Sequence, residues 1–97
     1  MKIPNTIKIG AHVYDIVFRD DMIDSNFGVC RPSKLKIFID STVPSSQQEE
    51  TFIHEVLHAI FSQIGMNDPN HPEDEEKQIQ PLGHAVYLFL KENNLLK

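Results

Sequence analysis

Apolar and polar residues alternate through the first forty positions. In TIKIGAHVYDIVFRD, Ile7 and Ile9 flank Lys8, Gly10 and Ala11 make a turn, and Tyr14, Ile16 and Phe18 share a face that alternates with Val13, Asp15 and Val17. A period of two on either side of a turn predicts a β-hairpin. The acidic, polar run DDMIDSN, residues 20–26, predicts an exposed loop. FGVC and LKIFID then flank the turn-forming RPSK, with Leu35, Ile37 and Ile39 alternating against Lys36, Phe38 and Asp40. A second hairpin is expected there.

At STVPSS the period changes from two to 3.6. Ser46 and Glu49 have the spacing of a capping box, and Phe52, Ile53, Val56, Leu57, Ile60, Phe61 and Ile64 recur at i, i+3, i+4 and i+7. Gly65 stands where a C-cap glycine belongs, so the helix is expected to end near Ile64. GMNDPNHPED reads as a loop. A second helix is expected from Asp74 to about Asn93, with Ile79, Leu82, Val86 and Phe89 as its apolar stripe. Pro81 removes a hydrogen bond there, so the helix either kinks or begins its regular part near Gln80. Strands followed by helices predict one α+β domain over 1–97, with a β part at 1–42 and a helical part at 46–95. The sheet is expected to be antiparallel or mixed, with about four strands.

Composition narrows the partners. Apolar residues make up 40% and charged residues 24%, the balance of an ordinary globular domain. Nine Lys and Arg against fourteen Asp and Glu leave a net charge of -5, with no basic cluster to neutralise phosphates, so nucleic acid is not an expected partner. MKIPNTIKIG carries no long apolar segment, and no stretch approaches the roughly 18 apolar residues of a membrane span, so neither export nor insertion is expected. Cys30 is the single cysteine and reads as a small buried hydrophobe in a reducing compartment.

The chemistry lies in TFIHEVLHAIFS. Residues i and i+4 of a helix sit one turn apart on the same side, so His54 and His58 can aim their imidazoles at one point, and that point can be a zinc ion. Catalytic zinc takes three protein ligands and leaves one position for water, whose pKa it lowers; Glu55, next to the first ligand, is placed to take the proton. On a helical projection the histidines fall at the edge of the apolar arc and Glu55 lies further toward the polar side. The bland alternative is two boundary histidines with a solvated glutamate between them. A capped amphipathic helix carrying the full HExxH pattern favours the metal.

A third ligand must come from elsewhere. His71 lies in the loop, while Glu76, Gln80 and His84 are spaced by four along the second helix. If the chain reverses through residues 65–73, the level opposite the two histidines is near residue 82, which favours His84, with Glu76 second. Gly83 would permit close helix approach, and the Tyr87 hydroxyl could donate to a developing oxyanion, although a partly buried aromatic is its plainer reading.

With QEETFIHEVLHAI, LKIFID and LGHAVYLFLKEN in hand, the chain resembles the small phage and prophage zincin-like proteins, distant relatives of the ImmA/IrrE metallopeptidases. The resemblance implies a minimal zincin-like fold, a zinc-dependent metallopeptidase acting on a protein or peptide substrate in the cytoplasm of a bacterial host, His54 and His58 as ligands and Glu55 as the base. It also puts Gln80 near the position where many relatives carry a glutamate ligand, a departure that leaves His84 and Glu76 as alternatives. In zincins generally an edge strand near the site helix binds the substrate backbone, and LKIFID is the expected edge. The alternative function is a catalytically inactive zincin-like protein-binding module; a third is a purely structural metal domain.

Overall fold

A computed structural model describes residues 1–22 and 26–96. Part of the loop expected over 20–26 lies outside the described residues. The elements follow in the order β1 (Thr6–Ile9), β2 (His12–Arg19), β3 (Gly28–Arg31), a short 3-10 turn (Pro32–Lys34), β4 (Lys36–Asp40), α1 (Ser45–Gln63) and α2 (Pro72–Glu92). The class is α+β, as the pattern predicts, with a four-stranded mixed sheet in the order β1-β2-β4-β3.

Both expected hairpins form. Gly10 turns the first with a positive φ of 62°, which glycine adopts without a Cβ penalty. The second closes through the 3-10 turn, and β3 and β4 pair antiparallel. What joins them is a parallel pairing of β2 with β4 that aligns Ile16 with Ile37 and Phe18 with Ile39. β4 is therefore interior, and Ile37 and Ile39 are 0% exposed. This corrects the expectation that LKIFID is an edge: β3 takes that position, beside α1.

The sheet packs on α1, whose other side receives α2. Ile9, Tyr14, Ile16, Ile37, Ile39, Phe52 and Ala59 form the core. α1 ends as expected: Gly65 takes a left-handed φ of 75° and the Met66 N–H reaches back to the Phe61 carbonyl at 2.9 Å. Its start differs, because the helix begins at Ser45 after Pro44 and no side chain caps it. Glu49 is turned inward instead, where it accepts the Tyr87 hydroxyl at 2.9 Å.

α2 runs unbroken through Pro81, which stands inside it, and begins at Pro72, two residues before the expected Asp74. Proline at the first helical position loses no hydrogen bond, and Glu73, Asp74 and Glu75 complement the helix dipole. Its inward face is Ile79, Gly83 and Tyr87: of the predicted stripe Ile79 is buried and Val86 half-buried, whereas Leu82 and Phe89 are exposed. The helix is rotated by about a quarter turn from the apolar expectation. The contacts that hold it so are polar ones, Glu76 to the histidines and Tyr87 to Glu49, together with Gly83 lying 3.6 Å (from an added Cβ) from the His54 Cα and Leu57 Cδ1.

Gly28 sets how closely β3 lies on α1. A Cβ there would stand 2.5 Å from Thr51 Cγ2, 3.0 Å from the Phe38 carbonyl oxygen and 3.1 Å from Glu55 Cγ. Gly28→Ala should therefore destabilise the fold by about 1–3 kcal/mol through overpacking, read as a lowered midpoint in urea denaturation with unchanged slope.

Candidate metal centre

α1 and α2 run antiparallel, and residues spaced by four on each face one another across the seam. Glu50, His54 and His58 form the row on α1; Glu76, Gln80 and His84 form the row on α2. Two rungs are explicit. His84 Nδ1 meets Glu50 Oε1 at 2.7 Å, and His58 Nε2 meets Glu76 Oε2 at 2.9 Å. The other Glu76 oxygen, Oε1, lies 2.9 Å from His54 Nε2.

The structure thus gathers His54, His58 and Glu76, each offering a ligand atom within 4.8 Å of the others. It does not bring His84 to that point. His84 sits about two turns further along α2 than Glu76, its Nδ1 committed to Glu50 and its side chain 61% exposed. Glu76 instead stands level with His58, and α2 starts at Pro72, two residues earlier than expected. His71 also stays away, in an exposed group with Glu73 and Asp74 at the start of α2. Tyr87 is buried with its hydroxyl committed to Glu49, so it is no oxyanion donor in this arrangement.

Glu55 departs most from the helical projection. It is only 7% exposed, because β3 covers what would otherwise be a polar flank of α1. Burial pushes its carboxyl up from 4.5 to about 7, and the nearby Glu76 charge acts in the same direction; His58 and a hydrogen bond from the Cys30 backbone N–H oppose them. Burial likewise lowers the His54 pKa, which keeps its imidazole neutral at physiological pH.

These groups line a cleft of about 1000 Å³ between β3 and α2, with α1 as its floor. Glu50, Glu55, Glu75 and Glu76 face it, and its described lining contains no lysine or arginine. Glu75 was not anticipated from the sequence. Its Oε2 lies 2.5 Å from His58 Nδ1, so both nitrogens of one imidazole face carboxylates.

That geometry constrains the site. A neutral imidazole has one N–H and one lone pair, whereas an ionised carboxylate only accepts. If His58 donates from Nδ1 to Glu75, its Nε2 lone pair faces a Glu76 lone pair at 2.9 Å. Two acceptors at that distance need a proton on one of them or a metal ion held by both. The donor set suits zinc, which takes imidazole nitrogen and carboxylate oxygen, and bonds of about 2.0–2.1 Å put two tetrahedral ligands about 3.3 Å apart. The contacts of 2.9 Å need to open by only a few tenths of an ångström to accept it.

Comparison with protein-family models, with curated proteins and with solved structures finds no match for the chain. The chemistry of the centre therefore stands on its own geometry.

Two measurements follow. In the unfolded chain Glu55 loses its proton near 4.5, in the folded chain near 7, so metal-free protein loses stability as pH rises through that window and the full penalty remains above it. In EDTA, Glu55→Gln should raise stability above pH 7 by on the order of 2 kcal/mol, and the gain should vanish toward pH 4. Cys30 is pushed up to about 12, first by burial and then by the Glu55 and Glu75 charges. Its alkylation by iodoacetamide at pH 8 should be much slower than in the guanidinium-unfolded chain.

Proposed function

We propose that this chain is a zinc-dependent metallopeptidase of the zincin-like kind, with His54, His58 and Glu76 holding the metal and Glu55 acting as general base on a protein or peptide substrate. The observation that carries this reading is that one carboxylate, Glu76, meets both imidazoles, with ligand atoms of His54, His58 and Glu76 within 4.8 Å of one another, lining a cleft and flanked by a buried glutamate.

Zinc bound there supplies Lewis acidity, acidifying water and polarising a peptide carbonyl. The chain's own groups do the rest. Glu55, with its carboxyl near 7, accepts a proton from water at neutral pH and can return it to the leaving amine, since a base tuned close to ambient pH serves both directions. β3 excludes water from the Glu55 side of the cleft, which maintains that pKa. As the edge strand beside α1, β3 also offers unpaired backbone groups to an extended peptide. A reducing bacterial cytoplasm suits a chain whose one cysteine is a protonated thiol packed against the core. Among the described residues no helix is long and apolar enough to cross a membrane.

Elemental analysis of the purified protein should give close to one zinc per chain. His54→Ala, His58→Ala and Glu76→Ala should each lose it, and His84→Ala should keep it; metal retained in Glu76→Ala and lost in His84→Ala would reverse the ligand assignment. Glu55→Gln should bind zinc and lose at least about 10²-fold in peptide hydrolysis. Zinc-replete protein that hydrolyses no peptide in a diverse library would leave the protein-binding module in place of the enzyme.

A further inference from the structure

Glu75 has a second, distinct part in this centre. It adjoins Glu76 in sequence, yet the two carboxylates address opposite edges of the same ring: Glu75 Oε2 meets His58 Nδ1, while Glu76 meets Nε2 and also His54. Glu75 is not among the three residues whose ligand atoms converge. It is also the more enclosed of the pair, with its side chain 16% exposed against 47% for Glu76. Its Oε1 is buried and has no hydrogen-bond partner among the described residues. A carboxylate held in that way keeps a strong need for the single donor it has, since losing that bond would strand an anion out of contact with water.

We infer that Glu75 is a positioning residue, which fixes His58 as the Nδ1–H tautomer and thereby presents the Nε2 lone pair to the metal. This rests on the zinc reading of the centre. The reasoning is one of proton counting. An ionised carboxylate at Nδ1 accepts only, so the ring's one hydrogen must sit on that nitrogen, and the lone pair is left on the nitrogen that points at His54 and Glu76. The charge of Glu75 further raises the basicity of the ligating nitrogen, and the short contact stops the ring from rotating about its χ2. His54 has no carboxylate on its other nitrogen among the described contacts, so His58 is the ligand whose tautomer the fold dictates.

The test compares wild type with Glu75→Ala and Glu75→Gln. Zinc affinity is read by competition with a chromophoric chelator at neutral pH, and the His58 ring by its Nδ1–H proton resonance in zinc-loaded protein. Glu75→Ala should weaken zinc about 10–100-fold. Glu75→Gln should fall between, because an amide oxygen accepts the bond without the charge, and its near-identical shape keeps the variant folded if the alanine is not. The wild-type Nδ1–H should resonate far downfield and exchange slowly; it should move upfield in Glu75→Gln and exchange with solvent in Glu75→Ala. A merely structural tie between the helices would lower thermal stability and leave both readouts of folded Glu75→Gln unmoved, which would overturn the inference. Wild-type protein that takes up no zinc would remove the zinc reading and this inference together. Zinc uptake lost in His58→Ala and unchanged in both Glu75 variants would remove the inference alone.

Discussion

Two carboxylates set against one imidazole ring leave a contact that takes a proton or a cation, and the seam between α1 and α2 is built around it. Glu76 presents both its oxygens to two imidazoles, and Glu75 occupies the far side of one of them. The alignment of the helix pair follows. Apolar packing alone would have turned Leu82 and Phe89 of α2 inward, yet both are exposed while Ile79, Gly83 and Tyr87 are buried. Charge-assisted contacts are individually worth about twice neutral hydrogen bonds, and several along one helix face outweigh a modest stripe of leucine and phenylalanine. Whatever proton or cation neutralises the seam therefore also bears on the rotation of α2.

The other wall depends on a missing side chain. Gly28 lets β3 lie close enough to α1 for the strand to cover Thr51 and Glu55, and that cover makes Glu55 a group that titrates near neutrality instead of a solvated carboxylate. Glu55 then shares one cleft with His54 and His58 of the same helix and with Glu76 of α2. The sheet contributes through its connectivity: parallel pairing of β2 with β4 pushes β3 to the rim, where it meets α1.

Local pattern carried much of this into the sequence. Alternation marked the four strands, the 3.6 period marked α1, Gly10 and Gly65 sat at their left-handed positions, and His54 and His58 fell one turn apart as the motif requires. Strand order was not legible, because alternation records which face a residue occupies and says nothing about its neighbour along the sheet. Glu76 was ranked behind His84 through register. Pro72 followed by Glu73, Asp74 and Glu75 is a helix-start signal that would have placed α2 two residues earlier and moved the expected level toward Glu76. The burial of Glu55 could not be read from α1, since it depends on a strand more than twenty positions upstream. Glu75 left no pattern of its own, as adjacent acids at a helix start ordinarily serve the dipole.

The absence of lysine and arginine from the described cleft lining reaches beyond the groups in contact. Four glutamates inside a concave, partly desolvated wall focus a negative field outward through the mouth, on a chain whose net charge is already -5. Such a field raises the local concentration of small cations and speeds their capture, while it slows the approach of acidic polypeptides. Because that steering acts over a Debye length of about 8 Å at physiological salt, the encounter rate of this cleft is set by ionic strength as well as by its shape.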